Sequence, residues 1–282
     1  MTVTETAMPE LIDATLLQAR YGADAVPAAA RLNEVLRGLL AHRTVRAYLP
    51  DPLPRGTLET LVAAAQSAPS SSNLQLWSVI AIEDAGRKAR LAEVAGGQRH
   101  VERAPLFLVW IADLSRADRA AAARGLTLEA CGYLESFLVA AIDAGLAAQN
   151  AAVAAESLGL GTCYVGALRN DPERVAAELG LPPRAMALFG MCIGRANPAR
   201  PAAIKPRLPQ QLVAFREPYA PHPAEAELMG KYDATLAAFS RSQGMGDVNW
   251  SSRVIARLAT LKGLNGRERM RAMMQALGFE LR

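Results

Sequence analysis

Three short polar stretches carry the side chains best suited to chemistry. His42, Arg43, Thr44 and Arg46 lie within five residues. Lys205 and Arg207 flank Pro206 in Lys205-Pro206-Arg207-Leu208-Pro209, a stretch too rich in proline for regular structure. Ser70, Ser71, Ser72 and Asn73 bring hydroxyl, amide and main-chain N–H donors into one turn. Arginine offers phosphate oxygens a rigid fork and lysine a point charge. Hydroxyl and N–H groups suit sugar hydroxyls and ring carbonyls. Taken singly, each cluster reads more simply as a wet surface or a polar loop. Only as a set do they suggest a phosphate-bearing ligand.

Other chemistries are absent. Gly159, Gly161 and Gly166 are spaced G-x-G-x-x-x-x-G, with Tyr164 where a dinucleotide fingerprint needs its last glycine. These glycines also follow a helix rather than a strand, so a Rossmann site fails. There is no P-loop and no G-x-S-x-G elbow. Cys131, Cys163 and Cys192 are far apart, as are His42, His100 and His222, so no zinc site or disulfide framework is indicated. What remains is chemistry carried by a bound organic cofactor, with the protein supplying position and charge.

At 282 residues the chain is long enough for one large domain or two small ones. Its net charge of +4 is mild and its basic residues are scattered, which argues against nucleic-acid binding. The N-terminus, MTVTETAMPELID, has no basic n-region or apolar h-region, so the expectation is a cytoplasmic protein without a secretory signal. Aromatics make up 5%, leaving alanine and leucine to fill the core.

The positioning elements centre on Phe137 to Val165. Its first two-thirds read as an alanine-rich helix apolar nearly all round, hence a buried central helix. Asp143, Gln149, Asn150 and Glu156 argue against a membrane span. Gly159 ends the helix and Cys163-Tyr164-Val165 reads as strand. Upstream, the patterns give helices over Leu11–Tyr21, Ala28–Leu40 (opened by Pro27), Thr57–Ser67 and Asp84–Ala95, with strands at Trp77–Glu83 and Leu106–Asp113. An alanine- and arginine-rich connector spans Ala117–Gly125. Downstream come a helix from Asn170 or Asp171 to Gly180, a strand at Ala185–Ile193, and helices over Pro223–Ser240 and Ser252–Ala276. Helix outweighs strand, which suggests an α+β fold with helices on the faces of a mixed sheet.

In combination these motifs resemble the nitroreductase family of FMN-dependent oxidoreductases, and within it the NADPH-dependent flavin reductase and oxygen-insensitive nitroreductase branch. The matching stretches are His42 to Arg46 (family H-R-S-I-R), Ala68 to Gln75, Gly96 to Val101, Ala148 to Leu160, Tyr164 to Asn170, Phe189 to Gly194 and Lys205 to Pro209. They stand in family order from about residue 35 to the C-terminus. The resemblance implies an N-terminal extension over 1–30, of unknown role, and an FMN-binding domain over 31–282 with a C-terminal helical arm. It implies an intertwined homodimer with FMN sites built from both copies.

By position, the resemblance implies that His42, Arg43, Thr44 and Arg46 hold the FMN phosphate, ribityl chain and pyrimidine edge, with Lys205 and Arg207 adding charge. Ser70, Ser71 and Ser72 would come from the partner copy, while Gln98, Tyr164, Val165, Gly166 and Ala167 line the ring. The implied reaction is ping-pong: NADPH or NADH gives a hydride to flavin N5 and leaves, and a nitroaromatic, a quinone or free flavin takes its place. No catalytic protein acid or base and no metal is implied. Two departures stand out. Ala167 replaces a glycine common in close relatives, and the loop Ser242–Asn249 carries no arginine, leaving Arg241 as the candidate for the NADPH 2′-phosphate. Two alternative roles share the same FMN site: delivery of reduced flavin to an oxygenase, and low-turnover flavin binding or sensing.

Overall fold

The computed structural model describes residues 8–22 and 31–282. Its helices are α1 (Met8–Tyr21), α2 (Glu34–Ala41), α3 (Thr57–Gln66), α4 (Ala85–Val94), α5 (Arg99–Arg103), α6 (Ser115–Ala122), α7 (Leu134–Ser157), α8 (Pro172–Leu179), α9 (Glu225–Ser242), α10 (Trp250–Leu258) and α11 (Met270–Ala276). Its strands are β1 (Trp77–Ile82), β2 (Leu106–Asp113), β3 (Gly161–Val165) and β4 (Ala185–Gly194). The chain divides into a sheet unit, Thr44–Pro201 with Leu264–Arg282, and a helical unit, Met1–Arg43 with Ala202–Gly263.

In the sheet unit the strands run β1-β2-β4-β3, each neighbour antiparallel, giving the expected α+β class. Among the described residues, the one parallel pairing is an isolated bridge from Thr44 to Thr162. β2 is buried along its whole length, as its unbroken apolar run requires. Ala147, Ala148, Ala151 and Ala155 of α7 pack with Leu108, Trp110 and Met191 of β2 and β4. Alanine is small enough to let a helix settle that close to a sheet. Gly159, at φ +76°, ends the helix and turns the chain into β3. One expectation needs correction here. α7 is not buried all round: Leu134, Leu138, Ile142 and Leu146 recur every fourth residue and stand 40–61% exposed. An apolar stripe at helical spacing is left uncovered within a single chain.

The stretch Ala117–Gly125 is also more than a connector, since α6 covers it as far as Ala122. Toward the C-terminus, α11 and the residues after it close the unit. Phe279 meets Phe137 edge-on at 5.4 Å, and the Arg282 N–H donates to the Gly132 carbonyl at 3.0 Å.

In the helical unit, Asn33 caps α2 by accepting the Leu36 N–H at 2.9 Å. That cap starts the helix at Glu34 instead of Ala28; Pro27 and Ala28 lie outside the described residues. The long tail helix expected over Ser252–Ala276 is interrupted after Leu258. Asn265 and Gly266 adopt φ of +54° and +86°, which no α-helix tolerates, and the chain crosses between the units there. Asp233 accepts the N–H groups of Trp250 and Ser251 at 3.0 and 2.9 Å and so fixes the start of α10.

Candidate functional site

The candidate residues fall in both units, and each set has its own scaffold. In the helical unit, α2 ends at His42, whose N–H donates to the Leu39 carbonyl at 3.3 Å. Arg43 is exposed and its Nε donates to the Ala41 carbonyl. A third basic residue, Arg20 of α1, joins this segment to the Lys205 loop. Arg20 is 5% exposed, and its guanidinium donates to the carbonyls of Leu40 (2.9 Å), Lys205 (2.9 Å) and His42. The Arg207 N–H donates to the Arg20 carbonyl at 2.7 Å. Tyr232 completes the hold on the loop by donating its hydroxyl to the Pro206 carbonyl at 3.2 Å. Burial raises the pKa of that phenol, so it stays a donor at neutral pH. His42, Lys205 and Arg207 are therefore brought together. Arg241 is placed differently: it is exposed in the last turn of α9 and forms an ion pair with Asp247 at 2.5 Å.

In the sheet unit, Thr44, Val45 and Arg46 lie along β3. The Val45 N–H donates to the Thr162 carbonyl at 2.9 Å, and Gly161 permits this approach. An added Cβ at Gly161 would meet Val45 Cγ2 at 2.5 Å. Tyr48 donates to the Val45 carbonyl at 2.6 Å, and burial keeps it protonated to do so. Val45 thus points inward, while Thr44 is half-buried and Arg46 exposed.

The charge of Arg46 joins burial, the larger cause, in lowering the pKa of the His100 imidazole, and His100 follows the Gly96-Gly97-Gln98 turn. The two glycines there sit at φ +78° and +74°, and the Gln98 amide donates to the Ala95 carbonyl at 2.9 Å. Tyr164 is 39% exposed with its ring 5.4 Å from Phe189, Val165 is buried, and Gly166 and Ala167 are half-buried.

Ser70, Ser71 and Ser72 are held against α7 rather than β3. Asp143, 2% exposed, accepts the Ser71 N–H at 3.1 Å. The turn is strained, with Ser72, Asn73 and Gln75 at φ of 49°, 55° and 52°. Ser71 and Ser72 are exposed.

Sequence reasoning passed over Arg20, Asp143 and His100. Asp143 did carry a signal, as the lone acid on the alanine face of α7. Arg20 carried none, because a basic residue in a helix's last turn is ordinary.

In chemistry the donors fit FMN. Exposed arginines and an anchored Lys-Pro-Arg loop suit a phosphate, exposed serines suit hydroxyls, and the half-buried Gly166-Ala167 backbone suits a flat ring. His100 Nε2 and Asp143 Oδ2 are buried without hydrogen-bond partners among the described residues, and both adjoin segments of this set. Among the described residues no group of three or more His, Cys, Asp or Glu converges as a metal site.

Comparison with known proteins bears on most of the chain. A model described as "Nitroreductase family" matches residues 39–195, and one described as "Nitroreductase family, C-terminal domain" matches 205–282. A Bacillus subtilis protein named FMN reductase [NAD(P)H] is 38% identical over 253 residues, covering 89% of this chain and 99% of its own length. An oxygen-insensitive NADPH nitroreductase from Salmonella typhimurium is 38% identical over 218 residues, covering 76% of this chain and 85% of its own. The solved structure of Bacillus megaterium NfrA2 superposes with a TM-score of 0.82 at 38% identity, covering 89% of this chain and all of that one. With the motifs in order, the antiparallel sheet and its central helix in place, and both halves matched, the chain belongs to the nitroreductase family.

Proposed function

We propose that the chain is an FMN-dependent NAD(P)H oxidoreductase that reduces nitroaromatics, quinones or free flavin by a ping-pong route. The observation that carries this reading is the match to a protein named FMN reductase [NAD(P)H], at 38% identity along 99% of that protein's length. When bound, FMN supplies the redox chemistry, accepting a hydride from the nicotinamide and passing two electrons to the second substrate.

The chain's own residues bind and orient. His42, Arg43, Thr44 and Arg46 hold the phosphate, ribityl chain and pyrimidine edge, with charge from Lys205 and Arg207. Basic groups around the ring favour its electron-rich reduced form. Gln98, Tyr164, Val165, Gly166 and Ala167 line the ring, and Arg241 is the candidate grip for the NADPH 2′-phosphate. The FMN-binding domain spans residues 31–282, and residues 1–30 precede it as an extension.

The functional form is a homodimer to whose second site Ser70, Ser71 and Ser72 contribute. The exposed stripe Leu134, Leu138, Ile142 and Leu146 on α7 supports this, because a second copy covers apolar surface that a monomer leaves wet. α7 is long and apolar enough to cross a membrane, yet it carries the buried Asp143 and its alanine face packs on the sheet, which supports a core helix. The three cysteines are free and buried, as suits a reducing cytoplasm supplied with NAD(P)H.

Steady-state rates against NADPH and a nitroaromatic, each varied at several fixed levels of the other, test the route. Parallel double-reciprocal lines are expected. Lines that intersect would mean both substrates bind at once, contrary to the proposal.

A further inference from the structure

We infer that Arg20 is a positioning residue for the FMN phosphate, locking the His42 and Lys205 segments into one preformed anion site. The inference rests on the FMN reading above. It also gives part of the N-terminal extension a role.

Arg20 lies in the last turn of α1, ahead of both family matches, which begin at residues 39 and 205. An arginine only 5% exposed must have its N–H groups satisfied, and here each guanidinium nitrogen serves a different carbonyl. Nε donates to Leu40 and Nη2 to His42, on either side of the end of α2, while Nη1 donates to Lys205. The guanidinium is planar and rigid, so three acceptors on one fork are fixed relative to one another. A lysine ammonium in its place would be a point charge without that geometry.

The main chain repeats the link. The Arg20 carbonyl is among the last four of α1, which lack helical partners. It accepts the Arg207 N–H at 2.7 Å, while the Gly22 N–H closes the helix on Gln18 at 2.8 Å. The Lys205-Pro206-Arg207 loop is thus tied to α1 twice, at Lys205 O and at Arg207 N. The carbonyls that Arg20 covers are negative ends of peptide dipoles, set on the same segments as the cations. Covering them removes repulsion toward a phosphate, and fixing them orders the basic segments before the ligand arrives.

A purely structural role would weaken every ligand alike, whereas positioning of the phosphate site acts on the phosphate. Full-length apoprotein should therefore be titrated with FMN and with riboflavin, which lacks the phosphate, following flavin fluorescence. For Arg20→Met the FMN dissociation constant should rise by about tenfold or more, with riboflavin changed less than about twofold. Arg20→Lys keeps a buried cation but loses the fork; it should move the same ratio in the same direction, and it carries the test if Arg20→Met does not fold. Equal weakening of both flavins, or no weakening, would overturn the inference. Arg207→Ala, run in parallel, separates the two levels. If it abolishes the preference for FMN while both Arg20 variants keep it, only the Arg20 inference falls. If it too leaves the preference intact, the phosphate reading falls with it.

Discussion

Replacing Gly161 by alanine isolates the contact that seats the Thr44–Arg46 segment on β3. An alanine Cβ there would lie 2.5, 2.7 and 2.9 Å from Val45 Cγ2, Cβ and Cγ1. Carbon atoms in contact sit about 3.5–4.0 Å apart, so Val45 must retreat by about 1 Å. A rotamer change gives no relief, because Val45 Cβ is itself too close. The Val45 N–H donates to the Thr162 carbonyl at 2.9 Å, and a retreat of that size takes it past the normal limit of about 3.2 Å. Overpacking a core site costs about 1–3 kcal/mol and losing the hydrogen bond about 0.5–1.5 kcal/mol. Replacing glycine returns roughly 0.5–1 kcal/mol of backbone entropy, leaving a net loss of about 1–3 kcal/mol. In a chain of this size that lowers the Tm by about 3–10 °C. Because Thr44 and Arg46 flank Val45, FMN affinity should fall as well.

The assay pairs thermal unfolding of the FMN-free protein with an FMN titration. Gly230→Ala on α9 is the control, with no neighbour within 4 Å of its Cβ and a gain of about 0.5–1 kcal/mol expected. A Gly161→Ala protein with Tm and FMN affinity matching the parent would refute the proposed seating of this segment.

Three further outcomes are expected. Burial first, and Arg46 second, hold the His100 pKa below its ordinary 6.5. Between the two values the unfolded chain binds more protons, so this contribution is complete above 6.5 and is lost as pH falls through the lowered value. His100→Gln should therefore flatten the fall in Tm between about pH 7 and pH 5; an unchanged slope would exclude His100 as a cause. Asp247→Asn releases Arg241 from its ion pair, which as an exposed pair is worth at most about 1 kcal/mol. The KM for NADPH should fall by up to about fivefold with that for NADH unmoved, and equal behaviour of both would remove Arg241 from nucleotide binding. Ile142→Glu puts a charge in the middle of the apolar stripe of α7 and should raise the dimer dissociation constant by about a hundredfold or more in sedimentation experiments. A dimer of parental affinity would place the interface elsewhere.

Much of the sheet unit was legible because its signals are strong and local. Leu106–Asp113 has no polar residue before its last, and a strand buried on both faces is what it becomes. Gly159 and Gly180 sit in left-handed conformations where they end helices. The tail was harder. Its apolar spacing continues past Leu258, and only Asn265 and Gly266 mark the break, which depends on where the chain crosses between units. α7 misled in another way, since composition shows how apolar a helix is but not whether one chain supplies enough surface to cover it.

Of the candidate site, the side chains proposed to touch a ligand were picked out by motif order. The residues that hold them were not, because a carbonyl acceptor leaves no trace in sequence. Arg20 serves the carbonyls of Leu40, His42 and Lys205, and any residue types could have stood at those positions.

FMN-dependent oxidoreduction is tested most directly by the visible spectrum of the purified, FMN-reconstituted protein before and after anaerobic addition of NADPH or NADH in separate cuvettes. Yellow protein bleached by at least one nucleotide, and recoloured by a nitroaromatic or quinone, is the expected result. Protein that takes up no FMN, or yellow protein that neither nucleotide bleaches, would contradict it.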